Sequence, residues 1–515
     1  MTAMSGNAQI LQTKVAQGKI EGVLHEGFAL YKAIPYAEAP IGDLRWKMPV
    51  AKKPWKGVYK ADKWGSRPYQ VDDPNQGISD VPMSEDCLYL SVETPAKSKD
   101  DKLPVFVMIH GGGFSTGSYI GTQESFVKEG IVYVSIEYRL GALGFMSHPE
   151  LSKENKMNIS GNYGIYDQIM ALQWIHDNIA AFGGDPEKVT ICGESAGGYS
   201  VSILCASPLC KGLFRAAICE SGGNFAPISQ LAYDGVSNER TLRAAESIGV
   251  DFQNKMGVKS ISEMRKLSAQ AILDSTEYKF FWPTCDGYAI VDDQYKLYEQ
   301  GTYNDVDVLV GYNSDEGSLF INNMTLEQYK SMAHEKFGDF ADKFMEAYPA
   351  SNDQEALYAV QDMMRDQSFG WNTYAWANLQ TKTGKGAMYV YYFDQQSQNS
   401  ILKQTRGATH VAEMPFIYGW TWGPMTETEN LMASTMSEFW IHFIKNGNPN
   451  PSNDQYMVIS PNDLKTIIHV SYWPTYKSDE PSVMTMHEGF EITKMPNQKQ
   501  MDFWEEYFSN YRALR

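Results

Sequence analysis

Residues 188–205, Lys-Val-Thr-Ile-Cys-Gly-Glu-Ser-Ala-Gly-Gly-Tyr-Ser-Val-Ser-Ile-Leu-Cys, constrain the fold of this chain more than any other stretch. Val189-Thr190-Ile191-Cys192 is a short apolar run that reads as a buried strand. The chain then turns through Gly193-Glu194-Ser195-Ala196-Gly197, and Tyr199 to Leu204 can continue as a helix. A serine at a sharp strand-to-helix turn is held in a strained backbone conformation with its hydroxyl exposed. Glycines flank it for steric reasons, since a Cβ two residues away on either side would clash. The pattern predicts a nucleophile, Ser195, around which the rest of the chain places groups.

The same strand-then-helix alternation recurs along the chain. Strands are predicted at Cys87 to Val92, Pro104 to His110, Ile131 to Tyr138, Ala216 to Cys219, Val306 to Val310 and Ala387 to Phe393. Val105-Phe106-Val107-Met108-Ile109 is apolar throughout, as a strand covered on both faces should be. Tyr163 to Ala181 reads as a helix with Ile169, Leu172, His176 and Ile179 on one stripe. Strands alternating with helices predict an α/β fold, a mostly parallel sheet with helices on both faces. Two long segments, about 224–300 and 318–385, are polar and helix-like. They are expected to be pocket-forming insertions at the strand ends. A helix over Leu431 to Lys445 should stop at Asn446-Gly447, and the last one carries Met501, Trp504, Phe508 and Tyr511 at helical spacing. No linker divides the chain, so residues 1–515 are expected to form a single catalytic domain.

A second Gly-x-Ser-x-Gly occurs at Gly113-Phe114-Ser115-Thr116-Gly117. Its next residues, Ser118-Tyr119-Ile120-Gly121-Thr122, do not start a helix, so Ser115 is not read as a nucleophile. That stretch belongs instead to His110-Gly111-Gly112-Gly113-Phe114, a glycine run that can turn backbone N–H groups toward a developing oxyanion. Gly112, Gly113 and Ala196 are the expected donors. His110 precedes the serine and reads as structural. A serine hydroxyl needs a base, and after such a turn the acid and then the histidine come in chain order. Among His334, His410, His442, His469 and His487, the choice falls on His410, in a loop after the strand Ala387 to Phe393. His442 and His469 read as packed. The acid should come after Val306 to Val310, where Asp315 and Glu316 fit equally well. Phe114, Tyr119, Met414 and Phe416 are candidates for a substrate pocket.

Taken in order, Ile34-Pro35-Tyr36-Ala37, Gly42-Asp43-Leu44-Arg45-Trp46, Ser84-Glu85-Asp86-Cys87-Leu88-Tyr89-Leu90, the His110 glycine loop, Tyr138-Arg139-Leu140-Gly141, Gly161-Asn162-Tyr163-Gly164, Phe182-Gly183-Gly184-Asp185-Pro186, Gly193 to Gly198, Asp315-Glu316-Gly317, His410 and Trp473-Pro474 resemble the motifs of the type-B carboxylesterases. That family includes the cholinesterases and has the α/β-hydrolase fold. The resemblance implies a serine carboxylesterase with Ser195, Glu316 and His410 as its triad, and so favours Glu316 over Asp315. It implies supporting roles for Glu194 and Ser221, and ion pairs of Arg45 with Glu93 and of Arg139 with Asp167. No cysteine precedes Cys87, so the disulfide of animal members cannot form. No tryptophan lies between Gly65 and Asp86, which argues against choline esters. The absence of that disulfide and of a visible signal peptide resembles a bacterial, intracellular member.

The expected substrate is a small-molecule ester, of aryl or hydroxycinnamoyl (feruloyl) type given the aromatic candidates, cleaved without metal or cofactor. An amidase or carbamate hydrolase on the same triad is the alternative. A non-catalytic cholinesterase-like interaction protein is a remote one, because such proteins break the triad or the glycine loop. A net charge of −18 argues against nucleic acid or an anionic membrane as partner. No apolar run has the length of a membrane span, and the first residues show no signal peptide. A cytoplasmic monomer is expected.

Overall fold

The computed structural model describes residues 9–71, 80–118, 120–232, 237–276, 281–397, 405–420 and 423–514. The chain packs as two units, residues 1–217 with 228–293, and 218–227 with 294–515. The expected insertion at 224–300 thus falls mostly within the first, and that at 318–385 within the second.

In the first unit the apolar run becomes the strand Leu103–Ile109, whose residues from Val105 onward are buried. Each such side chain contributes about 1.5–3 kcal/mol when removed from water. It pairs in parallel with Val132–Ile136 on one side and Gly184–Glu194 on the other, with Ile109 opposite Gly193. Tyr89–Thr94 and Phe28–Pro35 extend the sheet antiparallel, with Val23–His25 beyond them. The helix Tyr163–Asn178 buries Ile165, Gln168, Leu172 and Ile175, whereas Ile169 and His176 are only half-buried. Of the expected stripe, Leu172 and Ile179 are thus fully buried and Ile169 and His176 lie at its margin, because the buried face is broad and includes the polar Asp167, Gln168 and Asn178. Arg139 pairs with Asp167 as expected, through Nε and Nη2 at 2.8 and 2.7 Å. Arg45 does not pair with Glu93. Its guanidinium grips both oxygens of Glu85 at 2.6 Å, while Glu93, inside a central strand, accepts the Gln123 N–H at 3.0 Å.

From the strand Ala216–Glu220, whose residues from Ile218 on belong to the second unit, the order runs Asp307–Asn313, Met388–Phe393, Val483–Met486, Phe490–Thr493, Ile467–Val470, Tyr456–Ile459. The pairs from Asp307–Asn313 to Val483–Met486 are parallel. The short strands after residue 455 give little signal in the sequence because each is only four residues long. His469 lies on one of them and is exposed. It is therefore not the packed residue expected, since one face of that strand points outward. The helix Glu427–Asn446 opens on a capping box of Thr426 with Glu429 and ends at Gly447 with φ 73°, the stop that the Asn-Gly pair predicts. The last helix, Gln498–Ala513, buries Met501, Trp504 and Phe508. All six cysteines are free, and five are buried. Among the described residues no helix is long and apolar enough to cross a membrane.

Candidate active site

The turn after Gly184–Glu194 holds Ser195 at φ 55°, ψ −123°, directly before the helix Ala196–Ala206. A non-glycine residue there costs about 1–3 kcal/mol. The glycines are enforced by contact. A Cβ on Gly193 would stand 2.4 Å from the Gly197 carbonyl carbon, and one on Gly197 would stand 2.1 Å from the Ile109 oxygen. Ser195 itself is half-exposed.

The glycine run leaves the neighbouring strand and passes along this turn. A Cβ on Gly111 would lie 3.2 Å from the Ser195 Cβ and 3.1 Å from the Glu194 Oε2. Glu194 is thus beside the loop, and Ala196 comes next after the serine at the helix start. Gly112 and Gly113 take φ 96° and 60°, and Phe114 continues at 56°. At Gly112 a side chain would strike the Thr116 carbonyl oxygen at 2.3 Å. The loop closes on itself through Ser115 and Thr116 N–H groups donating to the Gly112 carbonyl at 3.0 and 2.9 Å. The Gln70 amide secures Gly117 with two bonds, at 2.9 and 2.8 Å. Ser115 therefore lies in a tight turn with no helix behind it.

Phe114 is buried and meets the edge of Trp282 at 4.8 Å, and Tyr199 meets the same indole at 5.4 Å. Trp282 was not among the sequence candidates. The aromatic run at 280–282 before Pro283 was the available signal, but nothing local ties it to the glycine loop. Tyr119 lies outside the described residues.

His110 is buried and structural in its contacts. Its ring stacks on Tyr138 at 4.3 Å, Nδ1–H donates to the Gly111 carbonyl at 2.9 Å, and the Tyr138 hydroxyl donates to the His110 carbonyl at 2.7 Å. Burial pulls its pKa down to about 4, even with a Glu137 oxygen 3.8 Å from Nε2. The unfolded value is ~6.5. Between these values the unfolded chain binds the extra proton, so stability is full above the unfolded value and falls as pH drops toward the folded one. The loss is at most about 3 kcal/mol. Urea midpoints measured at pH 7 and at pH 4.5 should therefore differ less in His110→Gln than in the wild type. An equal difference would mean that His110 titrates normally.

In the second unit, the strand Asp307–Asn313 delivers Glu316 into a short 3₁₀ turn. Glu316 is fully buried, and three donors converge on it. The Ser221 hydroxyl and the Asn313 N–H reach Oε1 at 2.6 and 2.8 Å. His410 Nδ1 reaches Oε2 at 2.5 Å. A carboxylate oxygen can only accept, so Nδ1 carries the proton of this bond. Asp315 points elsewhere, accepting the Arg406 N–H at 2.9 Å with the guanidinium at 3.4 Å.

The acid and histidine loops are strapped together. Asp315 N–H donates to the Ala408 carbonyl at 2.8 Å, Ala408 N–H to the Ser314 hydroxyl at 2.9 Å, and the Asn313 amide to the Thr409 carbonyl at 2.8 Å. Asn313 also bonds Glu413. Two rings pack near the imidazole, Phe369 at 5.0 Å and 22° and Phe320 at 5.1 Å and 55°. Neither these phenylalanines nor Asn313 and Glu413 was foreseen. Met414 and Phe416 open the helix Met414–Tyr418. Both are buried, with Phe416 against Phe393 at 5.1 Å, which is how a core residue packs.

The model of the carboxylesterase family matches residues 7–504. The chain is 32% identical over 476 residues to a para-nitrobenzyl esterase of Bacillus subtilis (strain 168), covering 86% of this chain and 90% of that one. It is 31% identical over 458 residues to a fumonisin B1 esterase of Sphingopyxis macrogoltabida, covering 84% and 81%. A solved structure titled PNB esterase superposes with a TM-score of 0.79 at 28% identity, covering 96% of this chain and 99% of that one. The chain has the α/β-hydrolase fold, belongs to the carboxylesterase family and is a carboxylic-ester hydrolase.

Proposed function

We propose that the ester is cleaved through an acyl-enzyme on Ser195, with His410 as its base and Glu316 as the group that orients His410. His410 Nε2 takes the hydroxyl proton as Ser195 attacks the carbonyl. The N–H groups of Gly112, Gly113 and Ala196 receive the oxyanion, each worth ~10²–10³ in rate. Nε2 returns the proton to the leaving alcohol, then activates the water that releases the acid. Glu194 and Ser221 support these groups. The observation that carries the reading is the buried His410–Glu316 contact at 2.5 Å. It fixes one tautomer and stabilises the imidazolium formed in each transfer.

For the substrate we infer an ester with an aromatic portion, of aryl or hydroxycinnamoyl type. What supports this is the edge-on group of Phe114, Tyr199 and Trp282 beside the glycine loop. A relative named for para-nitrobenzyl esters points the same way. The test is a panel of p-nitrophenyl acetate, butyrate and octanoate, methyl hydroxycinnamates, and matched anilides. Esters should be cleaved and anilides should be at least ~10³-fold slower, because the amine leaves poorly. Trp282→Ala should lower kcat/KM on the aromatic esters ~10-fold and on the acetate no more than ~3-fold. Cleavage of short aliphatic esters alone would sink the aromatic assignment.

A further inference from the structure

In the second unit one helical rod changes its winding beside the proposed base. It runs as α-helix over Asp353–Arg365, widens to a π-turn over Asp366–Gly370, and resumes as α-helix over Trp371–Thr383. A π-turn forfeits regular i→i−4 bonding, so it persists only where other contacts compensate, and such turns cluster at functional sites.

Here the compensation is built in. The Asn372 amide donates to the Gln367 and Ser368 carbonyls at 3.2 and 2.9 Å. Its own oxygen accepts the Phe225 N–H at 2.7 Å. Asp366, fully buried, takes both a fork from Arg365 at 2.7 and 3.0 Å and the Tyr348 hydroxyl at 2.9 Å. Trp504 in turn donates to Tyr348 at 2.8 Å.

The turn has two outputs. Arg365 donates to the Ser314 carbonyl at 3.0 Å, which fixes the backbone just ahead of Glu316. Phe369, 3% exposed, lays its ring on the His410 imidazole at 5.0 Å and 22°. The histidine loop needs such a wall, because Val411, the next residue, is held at φ 67°. That region is unfavourable for a β-branched residue and is kept only by its surroundings.

We propose that the π-turn Asp366–Gly370 is a positioning device for the His410–Glu316 pair, with Phe369 the positioning residue that keeps the imidazole plane on the Glu316 bond while Nε2 gains and gives up its proton. This rests on the role of His410 proposed above. Phe320, half-exposed and tilted at 55° to the imidazole, is the outer wall. Phe369 is the inner one, and a misplaced base is costly, since a 1 Å error can lose ~10²-fold.

The test uses the full chain with Phe369→Ala and Phe369→Leu. Active sites are titrated with a fluorophosphonate so that rates are expressed per competent site. For Phe369→Ala, kcat per site on p-nitrophenyl acetate should fall ~10-fold or more with KM within ~2-fold. The acid limb of the kcat/KM profile should move to higher pH, because water reaching the ring face favours the imidazolium. The charged groups around the ring are unchanged in these variants: Glu316 on Nδ1, Glu413 through Asn313, and Asp315, Asp362 and Asp366 with Arg365 and Arg406. Leucine keeps an apolar wall, so Phe369→Leu should fall between wild type and alanine, and it remains informative where alanine fails to fold.

A per-site kcat within ~3-fold of wild type and an unmoved limb in both variants would overturn the proposal, whatever the loss in melting temperature. His410→Ala is run alongside. If it keeps wild-type activity, the base assignment itself fails. If it is inactive while the Phe369 variants are normal, only the positioning role fails.

Discussion

Ser195→Ala is expected to lower kcat for ester hydrolysis by ~10⁴-fold or more, leaving only what transition-state binding without a nucleophile provides. Alanine removes the atom proposed to bond the acyl group. The Ala196 N–H stays in place, and the glycines at 193 and 197 keep the turn, since the contacts that exclude side chains there do not involve the Ser195 hydroxyl. Stability should change little, because the φ of 55° is unaltered by the substitution. Ser115→Ala serves as the paired control. Its side chain donates to the Gly113 carbonyl at 3.2 Å, within a turn that the backbone already closes. Its activity should stay within ~2-fold of wild type.

Glu316→Gln should cost nearly as much, ~10⁴-fold in kcat. The amide oxygen can still accept from Ser221 and Asn313. Its NH₂ then faces His410 Nδ1, where the native pair has an N–H meeting a carboxylate oxygen. Two donors cannot share that contact. The imidazole answers by moving its proton to Nε2, and in that tautomer it cannot accept from the serine. Asp315→Asn is the matched comparison. Its carboxylate serves Arg406 and not the imidazole, so kcat should remain within ~3-fold, with a modest loss of stability of about 1 kcal/mol or less because Arg406 is partly solvated. Steady-state kinetics of the two variants on one p-nitrophenyl ester separates the two residues. A large loss in Asp315→Asn with a small one in Glu316→Gln would reverse the assignment.

What was legible in the sequence is what local chemistry dictates. The Ser195 turn, the glycine loop and the positions of the acid and histidine loops all come directly after strands whose apolar runs are unambiguous. The steric reason given for Gly193 and Gly197 reappears as contacts near 2 Å. What was not legible depends on where distant segments meet. Spacing alone could not tell Asp315 from Glu316, since one turn sends them in opposite directions. Arg45 found Glu85 because the loop, not the strand bearing Glu93, returns to it. Trp282 joins Phe114 across 168 residues, so no periodicity could pair them. The π-turn was invisible for another reason. The 318–385 segment reads as helix throughout, and an inserted residue changes the winding without changing the composition. Phe369 then looks like any core aromatic until the histidine beside it is known.

The most direct test of the central claim is to find which serine becomes covalently modified. The protein is labelled with a fluorophosphonate at one equivalent, digested, and mapped by mass spectrometry while residual esterase activity is monitored. A nucleophilic Ser195 predicts a single adduct on the peptide that contains it, in proportion to the activity lost, and no adduct in Ser195→Ala. An adduct at Ser115 or elsewhere that tracks inactivation, or full labelling of Ser195 with activity intact, would contradict it.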